Sequence, residues 1–190
     1  METNRREFLR QLSLACGSIL FIPACVGYDS PWRFFSENEA LTVIAFTEQI
    51  IPTDQYSGAT DANVVNFIDK QLVGPYKRFQ EDYRKGILGI ENSTQNLFQK
   101  SFHELNWPVQ TEFMVQMESG QLPEEFWTEV NQRTFFNMLL DHCMQGFYGS
   151  PRHGGNKNYV SYKMMKLDYP HVLGQNRYES KCATAKLTEL

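Results

Sequence analysis

The chain has 190 residues, a net charge of -4 and a charged fraction of 21%, which is typical of one ordinary globular domain. No basic stripe is present, and nucleic-acid-binding domains usually carry one, so the sequence indicates no nucleic-acid partner. The aromatic content is high, with 14 Phe, 9 Tyr and 3 Trp, and such rings either fill a core or lie where proteins meet.

The N-terminal segment has the composition of an export signal. Arg5 and Arg6 precede an apolar run of about 13 residues over 12–24, which is the charged start and short apolar middle of a secretory signal. A membrane-spanning helix needs about 20 apolar residues, so this run is too short to span a membrane. We therefore predict a signal peptide over 1–24 and a mature domain over 25–190.

The order of residues in this segment, NRREFLR, resembles the twin-arginine signal, in which Phe8 and Leu9 follow the arginine pair after one residue. Proteins with this signal cross the membrane already folded. The alternative is a general secretory signal that contains two arginines. Export by the twin-arginine translocase predicts a location in the periplasm or on the periplasmic face of a membrane.

Three of the four cysteines bear on processing and cross-linking. The letters FIPAC end at Cys25 and resemble the box after which bacterial lipoproteins are cut and lipidated. The alternative is cleavage nearby by ordinary signal peptidase, whereas a lipid on Cys25 would tether the protein to a membrane face. Cys143 and Cys182 stay in the mature domain, in a compartment where disulfides persist. They either pair with each other, or one of them cross-links to a partner.

Helical periodicity in the mature domain begins at a strong start signal. Ser36 followed three residues later by Glu39 is a capping box, and Pro52 cannot continue the first predicted helix. The loop PTDQYSGAT follows. Either Thr60 or Asp61 is the predicted cap of the second helix.

Three further helices are predicted. The third begins near Tyr76, a short fourth helix is capped by Thr111 and closed by Gly120, and the fifth runs from Pro123 to Gly146. The stretch GFYGSPRHGGNKN that begins there is rich in turn formers and predicts a loop. No alternating apolar run is long enough to predict a strand. The expected fold is therefore all-α, a compact bundle of about five helices with an irregular, Gly-rich C-terminal region.

The residues that commonly carry catalysis or bind metals form no known pattern in this sequence. His142 and Cys143 are adjacent, and neighbouring helix residues point about 100° apart, which disfavours a shared metal. Gly154 and Gly155 are better explained by a tight turn than by phosphate binding, and Asp54 by a bond to its own loop. The sequence predicts no catalytic residue, metal site or cofactor in this chain.

Three blocks of sequence follow the arginine pair in a fixed order: LTVIAFTEQIIPTDQYSGATDANVVNFIDKQL, GFYGSPRHGGNKN and YKMMKLDYP. Together they resemble the small subunit of bacterial gluconate 2-dehydrogenase, which is called subunit 3. The features that carry the resemblance are the IIP helix end, the Gly-Ala loop, the FID-x-x-L helix, and the aromatic pair before GGN. Tyr162 stands where this family usually has tryptophan, and Asp168 where it tends to have glycine.

The resemblance implies a non-catalytic role in a complex. Members of the family accompany a large FAD-containing subunit of the glucose–methanol–choline type, usually with a multihaem cytochrome c. The large subunit oxidises a sugar or sugar acid, so FAD and haem c are expected in the partners and not in this chain. The small subunit is expected to help the large one mature and to carry it across the membrane. The candidate partner contacts are Phe147, Tyr148, Pro151, Gly154, Gly155 and Asn156.

A second hypothesis belongs to a different class of function. The chain would act alone, as an exported helical lipoprotein or enzyme that binds a small molecule. In that case Arg152, His153 and the neighbouring glycines would line the pocket.

Overall fold

The computed structural model describes residues 31–167 and the backbone of two short strands beyond them. The predicted export signal with Arg5, Arg6, Phe8, Leu9 and Cys25 lies outside the described residues, as does Cys182. The helices are α1 (Glu37–Ile50), α2 (Val64–Leu72), α3 (Gln80–Phe98), α4 (Trp107–Ser119), α5 (Gln132–Tyr148) and α6 (Val160–Met164). The strands β1 (Val172–Leu173) and β2 (Arg177–Tyr178) pair antiparallel.

The all-α prediction is confirmed, because six α-helices and several short 3-10 turns account for most of the described chain. The two strands have two residues each, too short to leave a periodic signal in the sequence. Within residues 31–167, no helix is both long and apolar enough to cross a bilayer.

Helix α5 lies at the centre of the bundle, where it contacts α1, α2, α3 and α4. Its buried residues Phe135, Leu139, Cys143 and Phe147 recur every four positions, which places them on one face. The prediction that α5 stops at Gly146 is wrong, since the helix continues to Tyr148. This glycine lets α2 approach, because a Cβ there would lie 3.0 Å from the ring of Phe67.

Helix α1 begins as the sequence predicts. The Ser36 backbone N–H donates to the Glu39 carboxylate at 2.8 Å, and the Glu39 N–H donates to the Ser36 hydroxyl at 3.4 Å. The helix ends at Ile50, just before Pro52. Both signals act within a few residues of the chain, so sequence alone is sufficient to read them.

The predicted caps of α2 are wrong. Its N-cap is Asn63, which has a left-handed backbone at φ 58° and makes no side-chain capping bond. Thr60 is held from outside the helix, because its backbone N–H donates to the Glu48 carboxylate of α1 at 2.9 Å. A contact across 12 residues therefore replaces the local cap.

Helix α4 starts four residues before the predicted cap at Thr111. Asn106 is the N-cap, and its side chain accepts from the Val109 N–H at 3.1 Å. Pro108 lies in the first turn of α4, where no backbone N–H is needed. The predicted end at Gly120 is confirmed, since this glycine closes the helix at φ 72°.

Helix α5 starts nine residues after the predicted start at Pro123, which precedes only a 3-10 turn. The Gln132 side chain bonds both the N–H and the carbonyl of Leu122, at 3.0 and 3.2 Å. The Trp127 indole N–H donates to the Ser93 hydroxyl at 3.1 Å. These long-range bonds pin the segment in an irregular path until Asn131 caps the helix.

Candidate partner-binding surface

The predicted partner contacts lie in the last turn of α5 and in the Gly-rich loop that follows it, and the structure divides them into two groups. Tyr148 is exposed, while Pro151 and Gly154 are partly exposed. Phe147, Gly155 and Asn156 are buried. Because buried groups offer no surface to another protein, the prediction is corrected for these three, which support the loop from inside.

Asn156 acts as an internal clamp on the loop. Its side chain donates to the Gly149 carbonyl at 2.8 Å and accepts from the Ser161 N–H at 3.0 Å. It therefore ties the end of α5 to the start of α6. The GGN block of the sequence has a structural explanation in this clamp.

The two glycines of that block are each required by the path of the backbone. A Cβ on Gly155 would lie 2.1 Å from the Gly146 carbonyl oxygen, well inside the contact distance of any two heavy atoms. Gly154 has a φ of 108°, which L side chains rarely adopt. The loop could not take this path with larger residues at these two positions, so the glycines have a structural role.

Helix α2 fixes the backbone of the loop from the other side. Asn66, Lys70 and Gln71 donate to the three successive carbonyls of residues 152–154, at 2.7 to 3.2 Å. Asn66 lies about one turn before Lys70 and Gln71 on α2. Together they bind the 3-10 turn Pro151–His153 and the Gly154 that follows it. The loop is thereby held as a rigid surface feature.

Asp69 of α2 holds a different segment, and the sequence did not identify this role. Its carboxylate is fully buried and accepts the successive backbone N–H groups of residues 33–35 at 2.8 to 3.1 Å. The Arg33 guanidinium pairs with the same carboxylate at 3.4 Å. The sequence carries a signal for this role, because Asp69 lies among the apolar residues of the FID block. A charge in such a position is expected to be buried and therefore to need partners.

Glu48 closes the loop after the IIP helix end. It accepts the N–H groups of Thr53 and Thr60 at 2.7 and 2.9 Å. Burial opposes its ionisation, but these hydrogen bonds outweigh the burial and hold the pKa of Glu48 below its ordinary value. The predicted role of Asp54 is confirmed nearby, since its side chain accepts the Tyr56 N–H at 2.8 Å.

Cys143 is fully buried in the core, and its thiol donates to the Thr47 carbonyl at 3.8 Å. Burial, with a smaller effect from the charge of Glu48, raises the pKa of the Cys143 thiol to about 12. The thiol therefore stays protonated and is a poor nucleophile. A disulfide with Cys182 stays a prediction, since Cys182 lies outside the described residues.

The surface around the loop is basic. From residue 142 to residue 167 the chain has no Asp or Glu. Burial lowers the pKa of His153, and the nearby charges of Arg152 and Lys70 lower it further, which indicates a positive local potential. Between residues 31 and 141, by contrast, acidic residues outnumber basic ones. We call the exposed lysines and arginine of this region, together with the exposed Tyr148, the basic platform: Tyr148, Arg152, Lys157, Lys163 and Lys166.

The geometry does not favour the pocket of the second hypothesis. The loop carbonyls at 152–154 are bound by α2, and the Arg152 Nε donates to His153 Nε2 at 3.0 Å. In the part of the chain that the structure describes, no three His, Cys, Asp or Glu side chains are grouped so as to hold a metal ion.

Comparison with known proteins agrees with the blocks that carry the sequence resemblance. The model of the family described as gluconate 2-dehydrogenase subunit 3 matches residues 37–168. This range contains the clamps at Glu48, Asp69 and Asn156. Neither a curated protein nor a solved structure matches the chain. Because the family model covers more than half of the chain, we conclude that it belongs to the gluconate 2-dehydrogenase subunit 3 family.

Proposed function

We propose that this chain is the small accessory subunit of an exported FAD-dependent dehydrogenase complex. The large subunit, of the glucose–methanol–choline type, would hold FAD and oxidise a sugar or sugar acid. A multihaem cytochrome c is the expected electron acceptor. The chain itself would supply an export signal and a docking surface, and its role would be in maturation and translocation of the large subunit.

The observation that carries this proposal is the family match, read together with the use that the structure makes of the matched blocks. Glu48 orders the loop after α1, Asp69 anchors residues 33–35, and Asn156 closes the Gly-rich loop. All three side chains use their hydrogen bonds to hold backbone segments in place. Such an arrangement suits a protein that presents a rigid face to a partner.

The N-terminal sequence supports the export part of the proposal. A flavoprotein that binds FAD in the cytoplasm has to cross the membrane folded, which is what the twin-arginine route permits. A large subunit without its own signal would then travel bound to this chain. The proposed location is the periplasm or the periplasmic face of a membrane, with lipid on Cys25 as an additional anchor.

The test is co-expression of the chain with the large subunit, followed by fractionation and measurement of FAD and dehydrogenase activity in the periplasm. The double substitution Arg5→Lys and Arg6→Lys keeps the charge but breaks the twin-arginine pattern. We expect it to leave both subunits in the cytoplasm, while Lys100→Glu, far from the signal in the sequence, leaves export unchanged. Periplasmic delivery of the large subunit without this chain would contradict the proposal.

A further inference from the structure

A groove of about 670 Å³ lies between α5 and the segment that leads into α3. This volume lies within the range of about 300–1,000 Å³ that is usual for ligand sites. Its walls are largely aromatic and apolar, and Arg78, Asp82 and Asp141 lie on its lining with charges of both signs. The apolar wall residues are Tyr76, Phe79, Val130, Phe135 and Met138.

His142 contributes to the groove from within a stack of rings. Its imidazole lies 4.4 Å from the Tyr76 ring at an interplanar angle of 17°. The imidazole and the Tyr83 ring are also nearly parallel, with their centroids 5.8 Å apart and an interplanar angle of 3°. The side chain is 5% exposed, and it lines the groove.

The hydrogen bond from Tyr83 sets which nitrogen of His142 carries the proton. The Tyr83 hydroxyl lies 2.8 Å from Nδ1 and is fully buried. Burial raises the pKa of Tyr83 well above its ordinary value, so this group keeps its proton. A buried hydroxyl without an acceptor is costly, and Nδ1 is its acceptor within residues 31–167.

Nδ1 therefore accepts, and Nε2 carries the hydrogen of the neutral ring. Burial lowers the pKa of His142 to about 4, while the charge of Asp141 opposes this and that of Arg78 adds to it. The ring is thus neutral at physiological pH. The Nε2–H group is the remaining donor of a side chain that is more than nine-tenths buried, and it has no described acceptor in the protein.

We propose that this groove binds a neutral, phenol-like ring. The flat apolar body would lie against Tyr76, Phe79 and Met138, which are partly exposed in the groove, and the ring oxygen would accept from His142 Nε2–H. Lining charges of mixed sign disfavour a ligand with a net charge. Two sources share this chemistry, a tyrosine side chain of the large subunit and a free small phenol. Binding of a phenol-like ring in the groove does not depend on the proposed function. Only the partner tyrosine, as the source of that ring, rests on it.

The first experiment uses p-cresol and toluene, which differ by the hydroxyl group, in ligand-observed NMR titrations of the full chain. The double variant Tyr83→Phe/His142→Phe removes the donor and its partner together, which avoids an unpaired buried hydroxyl. We expect it to weaken p-cresol binding about 2- to 10-fold relative to toluene, the value of one hydrogen bond. An equal effect on both ligands overturns the proposal.

A blocking variant locates the binding. Asn137 is exposed on α5 and lines the groove, so Asn137→Trp should fill it and abolish saturable binding of both ligands. The matched control is Val115→Trp, at a 50% exposed position on α4 that does not line the groove. Binding of p-cresol that survives Asn137→Trp overturns the proposal.

The second experiment distinguishes the two sources by assembly with the large subunit. If a partner tyrosine fills the groove, Asn137→Trp weakens the complex and Val115→Trp does not. If the complex is equally stable with both variants and p-cresol still binds the wild-type chain, the ligand is a free small phenol. If the wild-type chain forms no complex at all, the proposed function fails while the p-cresol result still decides the site.

Discussion

Asp69 and the loop glycines show how single residues determine the shape of this surface. A carboxylate that is fully buried is tolerated because it accepts three successive backbone N–H groups and one guanidinium. Gly155 has the opposite role, since it is the absence of a side chain that lets the loop touch the backbone of α5 at Gly146. Each residue can therefore be tested by the smallest possible change.

Asp69→Asn should lower the free energy of unfolding by about 2–4 kcal/mol, because hydrogen bonds to a buried charge are lost and one amide hydrogen opposes the N–H groups. Urea denaturation followed by circular dichroism measures this. Asp61→Asn is the control, since Asp61 is exposed and surface changes stay within about 0.5 kcal/mol. Equal stability of the two variants would show that the clamp is not needed.

Gly155→Ala should cost about 2–3 kcal/mol or more, because its methyl group would meet the Gly146 backbone, which cannot turn aside as a side chain can. Gly74→Ala is the matched control, since its nearest neighbour would be at an ordinary 3.5 Å. Thermal unfolding of both variants gives the comparison. A Gly155→Ala protein as stable as wild type is the contrary result.

At the scale of elements, the helix boundaries show which signals are local. The capping box of α1 involves residues three apart and could be read from the sequence. The start of α5 could not, because Gln132 bonds Leu122 across the turn that holds the chain out of the helix. Helix and loop are also coupled through Glu48 of α1, which accepts from Thr53 and Thr60 in the loop that leads to α2.

The Glu48 link predicts a specific pH dependence. Because the folded pKa of Glu48 lies below its unfolded value, its stabilisation is full above about pH 4.3 and is lost as the pH falls through the folded pKa. We expect Glu48→Gln to cost about 1–2 kcal/mol at pH 7. The difference from wild type should shrink toward pH 3.

Urea titrations between pH 7 and pH 3 measure this effect. Glu112→Gln, at an exposed glutamate on α4, controls for the removal of one negative charge. A cost at Glu48 that stays constant down to pH 3 would mean that its ionised form is not what holds the loop.

At the scale of the whole molecule, charge is distributed unevenly along the chain. The region from 142 to 167 carries cations without any acidic residue, although the whole chain has a net charge of -4. The same region forms the rigid loop surface held by α2. A positive, rigid face suits an acidic partner surface, since complementary potentials speed association and select partners.

Lys163→Glu should therefore weaken assembly with the large subunit about 3- to 10-fold at low salt. The difference in affinity should largely disappear at about 0.5 M salt, because charges are then screened over a few ångströms. Lys100→Glu is the control, because it makes the same change at an exposed site outside the basic platform. Biolayer interferometry at several salt concentrations measures both, and equal affinities would exclude this platform as the docking site.

The sequence by itself determined the family, the all-α class and the elements whose signals are local. The capping box of α1, the apolar repeat of α2 and the closing Gly120 of α4 are examples. These features depend on residues within about four positions of each other, so their physical cause is present in the sequence as written.

Only the tertiary structure decided which residues of the Gly-rich loop reach the surface. Phe147, Gly155 and Asn156 look like contact residues in the sequence and are buried. The loop is held against the bundle by long-range bonds, such as the one from Asn66 to Gly154, 88 positions apart. The neutral donor of His142 likewise depends on Tyr83, 59 residues away. Burial and hydrogen bonding across such distances follow from chain packing, which no short stretch of sequence encodes.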